Sequence, residues 1–416
     1  MHILIIGAGI IGVTTAYELL KDGHKVTVID RQPEPAKETS YANAGLIAPG
    51  HSYAWTTPKL PSNLFKSYFQ KKKAFRFKFQ WDFAMWSWCI QFLRQCTQKK
   101  MKENTIRKHR LSIYSQKCFH KLMKEVNIEY HENKKGLIYI FRTKESFQEG
   151  KQKLEMLKPN MKNLKLLNSD KLIQLEPVLK DVEDGIFGGI YCPSDESGSC
   201  RDFTVALAEI CKQKGGKFYF NTTVKGFETK GDKIITLNSD KGNFSASAYI
   251  IACASYSPFL AKQLGDYLPI YPVKGYSMTV PIIDINMAPI HSGIDEDNLL
   301  AFSLMGDNIR FTSVAEISGY NTNCDPEDFT EIITQASSLF PKACDYSKIQ
   351  YCCGLRPMTP NGAPIIGKGK KENLFYNTGH GHLGWTMCAG SAKIITDLVS
   401  GNTPDIDMEG MSIASA

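Results

Sequence analysis

A chain of 416 residues, 43% hydrophobic and 22% charged, has enough apolar material for two or three domains' worth of core and is not a disordered chain. No run of eighteen uncharged apolar residues occurs, which excludes a transmembrane helix, and Met1 leads straight into a strand, so a signal peptide is not expected and a cytoplasmic location is. The net charge of +8 is modest but unevenly placed, and the 12 cysteines follow no ligand spacing, so reduced, mostly buried thiols and no metal are expected.

The first thirty residues read as strand, glycine turn, helix, strand. Ile3 to Ile6 form the continuous apolar run of a parallel strand buried on both faces, and it enters Gly7-Ala8-Gly9-Ile10-Ile11-Gly12 directly. Gly7 permits the tight turn, Gly9 removes a side chain where a diphosphate must approach the backbone, and Gly12 lets the helix pack on the strand. The helix is expected from about Ile11 to Lys21, with Val13, Ala16, Tyr17 and Leu20 on one stripe, and Lys25 to Ile29 form a second strand. Asp30, 18 residues past Gly12, is placed to bond the ribose hydroxyls of an adenosine, while the helix N-terminus offers about half a positive charge to the diphosphate. An ordinary glycine turn is the alternative, but the flanking strands and the acid agree with a dinucleotide site.

Residues 38–45 are polar and small, as in a surface loop or a segment that approaches a ligand closely. From Lys66 to Lys78 six basic residues interleave with Phe65, Tyr68, Phe69, Phe75 and Phe77, and Phe79 and an amphipathic helix opening at Trp81 follow. Helical patterns run to about Glu125, and Gly136 to Phe141 is a strand. Arg201 to Lys214 read as a helix, followed by short strands near Phe218, Val224, Ile234 and Phe244 and a buried strand from Ala248. Helix, meander and apolar strand in that order suggest a return to the first sheet after an excursion. Strand patterns resume from Tyr271 to Phe311, Pro326 to Leu339 is helical, and Leu374 to Tyr376 is a strand. Thr378-Gly-His-Gly-His-Leu-Gly384 then opens a helix reaching about Val399, a second glycine-rich helix start suited to an anionic ligand.

Thr39 to Gly45, Tyr271-Pro-Val-Lys-Gly-Tyr-Ser277, Gly354-Leu-Arg-Pro-Met-Thr-Pro360 and Asn377 to Met387, taken with the first glycine motif, resemble the bacterial D-amino acid dehydrogenases nearly end to end. These belong to the larger family of flavoprotein amino acid and amine oxidases that includes D-amino acid oxidase and glycine oxidase. The resemblance implies an α/β fold: a Rossmann-like FAD-binding domain (1–80, 185–270 and 350–416) with an inserted, mostly antiparallel β-sheet substrate domain (81–184 and 271–349). It implies noncovalent FAD, oxidative deamination of a D-amino acid to a 2-oxo acid and ammonia, and electrons passed to a respiratory quinone-type acceptor. An oxygen-using glycine or sarcosine oxidase, or a flavin subunit inactive without a partner, is the alternative. The implied cofactor contacts are Gly7, Gly9, Ile10, Gly12, Asp30, Arg31, Ser40, Asn43, Ala44, Gly45, Val224, Ala254, Gly354, Gly379, Gly381, Gly384 and Thr386. Three departures from the family pattern stand out: Thr312-Ser313 stand where a glycine pair is common, Asn361 replaces a frequent aspartate, and His382 a smaller polar residue.

Hydride transfer to a flavin needs orientation more than a strong base, so an anchor for the substrate carboxylate is the principal requirement. Arg356 is the candidate, with a loop-tying arginine as its alternative, and Tyr276 is expected either to add a second hydrogen bond to that carboxylate or to be a core aromatic. His380 and His382 suit helix capping, and His51 fits a pocket or a loop equally well. The basic and aromatic stretch from about Phe65 to Trp88 is expected to dock on the inner leaflet of a membrane, each basic residue contributing about 1 kcal/mol. A solvated lysine face over core aromatics is the competing reading, and nucleic acid is not an expected partner.

Overall fold

The computed structural model describes residues 1–62, 75–159, 161, 163–182 and 185–415. The strand His2–Ile6 lies inside a six-stranded sheet ordered Ile365–Lys368, Leu374–Thr378, Ala248–Ile251, His2–Ile6, Lys25–Ile29, Lys217–Tyr219. All neighbours are parallel except the first pair. Alternation sends Ile3 and Ile5 into the core beneath the helix Ile10–Lys21, and Leu4 and Ile6 into a second core on the other face. That is why the strand carries no polar residue after His2: both faces are dry. The meander at 224–244 forms its own three-stranded sheet before the chain returns at Ala248, as the sequence pattern anticipates.

The second sheet has nine strands, mostly antiparallel, with Gln350–Met358 at one edge and Tyr271–Pro281 and Asn308–Ile317 next to it. Its membership corrects the expected boundaries. Phe75–Phe77, Gly188–Cys192 and Gln350–Met358, assigned above to the cofactor domain, all belong to this large sheet. The helix Gln98–Glu125, assigned to the substrate domain, buries Leu111, Phe119 and Leu122 in the same core as Ile3 and Ile5. Small residues on that stripe permit a close crossing with the helix Gly384–Val399, where Gly390 N–H donates to Ser115 Oγ at 3.0 Å. Partners lie hundreds of residues apart, so domain membership follows free strand edges and apolar stripes rather than chain order. Among the described residues, no helix is long and apolar enough to cross a membrane.

Candidate active site

At the glycine turn, Gly7 has φ +112°, and a Cβ there would sit 2.5 Å from the Ala252 carbonyl oxygen. A Cβ on Gly12 would collide with the Gly7 carbonyl. Gly9 differs: its φ of −73° suits any residue, and a Cβ would meet only Ser40 Oγ at 3.3 Å. What glycine supplies there is empty space. The helix beginning at Ile10 has no side-chain cap from Gly9 and no acid in its first turn, while Ile10 N–H donates to Ser40 Oγ at 3.0 Å. Such an open N-terminus suits an anionic diphosphate. Asp30 accepts from Ala8 N–H at 2.6 Å and Gln32 N–H at 2.8 Å; burial raises its pKa above the usual carboxylate value although those bonds oppose the shift. Arg31 pairs with Glu38 at 2.5 Å and lies 3.9 Å over the Tyr256 ring. Thr222 N–H donates to the Asp30 main-chain carbonyl at 2.9 Å.

From this turn a cavity of about 1130 Å³ extends between the two sheets. Ile10, Ser40, Asn43, Ala44 and Gly45 form one wall, and Ala254, Gly354, Gly379, Gly381 and Gly384 another. The structure therefore brings together residues from five separated stretches of sequence. Gly7, Gly9, Gly12, Asp30, Arg31 and Val224 lie outside its wall, and Thr386 is behind it, accepting Ala48 N–H at 3.1 Å. The helix Gly384–Val399 also starts without a side-chain cap or a first-turn acid, so its positive end faces the cavity. His380 is buried with Nε2 unpartnered among the described residues, and burial pushes its pKa down to about 3. His382 stacks on Trp55 at 4.7 Å and is held well below the ordinary histidine value, by burial first and then by Lys108, His51 and Arg356.

Arg356 borders the cavity from the edge strand. Its guanidinium donates to the Val314 carbonyl at 2.8 Å and the Lys274 carbonyl at 3.4 Å, and lies 6.0 Å over Trp55. It passes so close to Gly275 that a Cβ there would collide with it. No carboxylate pairs with it among the described residues, and burial lowers its pKa only to about 10, so it stays charged at neutral pH. Tyr276 is a correction. Gly275 and Ser277 face the cavity, so strand alternation turns Tyr276 to the opposite side, where its hydroxyl donates to Glu316 at 2.8 Å and its ring packs on Phe329. It does not reach the cavity. Thr312 and Ser313 do line it, whereas Asn361 is spent in a turn, accepting Ala363 N–H at 2.9 Å and donating to the Ser415 carbonyl at 2.8 Å.

Sequence reasoning missed Trp55, Lys108 and Glu296. Lys108 is 2% exposed, its Nζ lies 2.5 Å from the Tyr53 carbonyl oxygen, and burial pushes its pKa down to about 7. A signal existed: Lys108 shares the helical stripe of Leu111, Ser112, Ser115 and Phe119. Glu296 pairs with the imidazole of His51, 2.6 Å away.

A cradle of three glycines, two uncapped helix starts and a deep cavity between them fit a long, anionic dinucleotide. Comparison with known proteins agrees. A family model described as FAD dependent oxidoreductase matches residues 2–398. D-amino acid dehydrogenase 2 of Mesorhizobium japonicum is 39% identical over 412 residues, 99% of each chain, and D-amino acid dehydrogenase of Rhizobium johnstonii is 41% identical over 413 residues, again 99% of each. Among solved structures, glycine oxidase from Geobacillus kaustophilus shares the fold, with a TM-score of 0.78 at 20% identity over 99% of this chain and 97% of that one. The chain belongs to the FAD dependent oxidoreductase family.

Proposed function

We propose that this chain oxidises D-amino acids to 2-oxo acids and ammonia with FAD as the immediate acceptor, and delivers the electrons to a quinone-type acceptor at the cytoplasmic face of a membrane. The observation that carries the reading is Arg356, a charged guanidinium in the cavity wall that, among the described residues, donates only to two carbonyl oxygens. Carbonyls satisfy N–H groups but leave the charge uncompensated, and an amino acid α-carboxylate supplies both a forked pair and the missing charge. The D-amino acid dehydrogenases that match over nearly their whole length support the same substrate class. When bound, FAD supplies a two-electron acceptor for the Cα hydrogen. The residues here would position both molecules: the helix start at Ile10 would hold the diphosphate, Asp30 the ribose, the helix start at Gly384 the flavin ring system, and Arg356 the substrate. Thr312 and Ser313 add side-chain atoms to the cavity wall where a glycine pair would add none.

Mixing the purified flavoprotein with D-alanine under nitrogen should bleach the flavin, and a quinone should restore the colour faster than oxygen does. Bleaching by glycine or sarcosine with fast oxygen return would favour an oxidase instead. Removing one partner of a buried charge pair costs roughly 3–5 kcal/mol, so Arg356→Ala should lower kcat/KM by more than about a hundredfold with flavin retained, and Arg356→Lys should recover part. Unchanged kcat/KM in Arg356→Ala would place the carboxylate elsewhere.

The membrane location rests on the helix Phe83–Arg94 and the segment before it. Trp81 is 95% and Phe83 89% exposed, and Phe79, Trp86, Ile90 and Leu93 are partly so, while Met85 and Trp88 face the core. Phe65, Lys66, Tyr68, Phe69, Lys71, Lys72 and Lys73 lie outside the described residues. Of the remaining basic residues, Arg76 pairs with Asp328 and Lys78 with Glu316, both at 3.4 Å. Attachment at the described residues is therefore carried by aromatic side chains, which favour the headgroup boundary.

A further inference from the structure

His51 is held in the way that oriented bases are held. Its Nε2 lies 2.6 Å from Glu296 Oε1, its ring stacks on Tyr139 with centroids 5.2 Å apart, and Tyr53 meets it edge-on at 5.7 Å. The backbone beside it is fixed as well, because Gly50 N–H donates to both oxygens of Asp195 at 3.1 Å, and Asp195 also accepts the Tyr139 hydroxyl at 2.6 Å. Burial alone would raise the pKa of Glu296, but the imidazole more than offsets it, so the carboxyl is held below its ordinary value and stays ionised. An ionised carboxylate at Nε2 keeps the proton of the neutral ring on that nitrogen and leaves the lone pair on Nδ1. Among the described residues nothing bonds Nδ1, and His51 forms part of the same cavity wall as Arg356.

Oxidation of a D-amino acid sets a requirement that Arg356 cannot meet. A D-amino acid arrives as its ammonium form, and the Cα hydrogen leaves as hydride only when the nitrogen has a free electron pair to stabilise the carbon left behind. Resting on that function, we propose that His51 Nδ1 takes the ammonium proton as the catalytic base, with Glu296 as its positioning residue. The N–H bond breaks, the Nδ1–H bond forms, and the nitrogen keeps the electron pair. Glu296 balances the new imidazolium charge, and the proton passes to water once product has left. The other ionisable groups that face the ring are Asp195 and Tyr139 from the sheet side, Tyr53 from its own loop and His382 from the glycine-rich helix start, while Lys153 from the helix Lys144–Leu157 acts on Glu296 and lies 5.7 Å over the Tyr53 ring. Burial pushes Asp195 up to about 6, so Asp195→Asn serves as the control for its own titration.

The test follows kcat/KM for flavin reduction by D-alanine against pH without oxygen. If no D-amino acid reduces the wild-type flavin, the parent reading and this one fall together. In wild type, kcat/KM should level off well before the substrate's own ammonium ionises. In His51→Gln, only substrate that has already lost its proton reacts, so kcat/KM should rise about tenfold per pH unit and approach wild type at alkaline pH. A loss of equal size at every pH, with the profile unchanged, would make His51 merely structural and overturn the proposal. Glu296→Gln keeps a hydrogen bond but removes the charge and should move the acidic limb to lower pH; a limb that stays in place overturns its positioning role. A second readout needs no turnover. With 15N-labelled histidine, binding of 2-aminoisobutyrate, which has no Cα hydrogen, should protonate Nδ1 in the one resonance missing from His51→Gln, and a ring that stays neutral counts against the base.

Discussion

Lys108 shows how much a single side chain can oppose the fold that contains it. Its amine is buried without a carboxylate partner among the described residues, and its pKa falls from the ordinary 10.5 to about 7. The unfolded chain therefore binds more protons than the folded one between about pH 7 and 10.5, so this group's contribution to stability rises with pH through that window and is flat below it. At about 1.4 kcal/mol per pH unit, the opposition below pH 7 is of the order of 4–5 kcal/mol, reduced by the hydrogen bond to the Tyr53 carbonyl. Lys108→Met has nearly the same length and no charge. Its melting temperature should exceed that of wild type by several degrees at pH 6, with the gain shrinking towards pH 10.5. A gain that does not change with pH would show that the amine is not deprotonated on folding. The same residue marks where sequence reasoning stops: a lysine on an apolar stripe is visible, but the carbonyl it serves lies 55 positions earlier. Arg356, singled out in Gly354-Leu-Arg-Pro357, does border the cavity, whereas Tyr276 does not, because Tyr271–Pro281 is buried on both faces and gives no sign of which parity faces the cavity.

At the scale of elements, the helix Phe83–Arg94 has two apolar faces, and only one of them is used by the fold. Met85 and Trp88 pack in a core with Tyr271 and Met358, where the Trp88 indole N–H donates to the Met358 carbonyl at 2.8 Å. Phe83, Trp86, Ile90 and Leu93 recur at three- and four-residue spacing on the outside. Full burial of one such side chain is worth roughly 1.5–3 kcal/mol, so partial immersion of four or five would suffice for the reversible attachment proposed. Substituting Trp81, Phe83 and Ile90 by serine should release the protein from vesicles containing anionic lipid while dye-linked turnover with D-alanine is preserved. Lys71, Lys72 and Lys73 to glutamate should weaken binding further at low salt. Retention of the serine variant on vesicles would move the contact to another face. Elements with local rules, such as the glycine turn at Gly7 and the uncapped start at Gly384, were readable from their own residues. Membership of the large sheet was not, since Gln350–Met358 is placed by pairing with Tyr271–Pro281, whose register no local pattern encodes.

Across the whole molecule, the cavity is the seam between the two sheets, and whatever fills it bonds both. Ala252 and Ala254 reach it from the nucleotide sheet, and Ser277, Thr312 and Gly354 from the large one. Ligand that binds only the folded chain adds stability by mass action, about 2.7 kcal/mol at a hundred times its Kd. FAD should therefore raise the melting temperature of the whole chain in one transition, by several degrees and more as its concentration rises. Gly9 separates binding from folding. Its φ of −73° and ψ of 179° are open to valine, and the one neighbour a Cβ meets is Ser40 Oγ, so Gly9→Val without FAD should melt within a few degrees of wild type without FAD. The branched side chain instead fills the space at the open helix start where a diphosphate must lie against backbone N–H groups. Gly9→Val should then retain no yellow colour through purification and show no rise in melting temperature with added FAD. A full FAD-dependent rise in that variant would take the diphosphate away from this turn, and a large fall in its FAD-free melting temperature would mean that glycine is needed there for the fold itself.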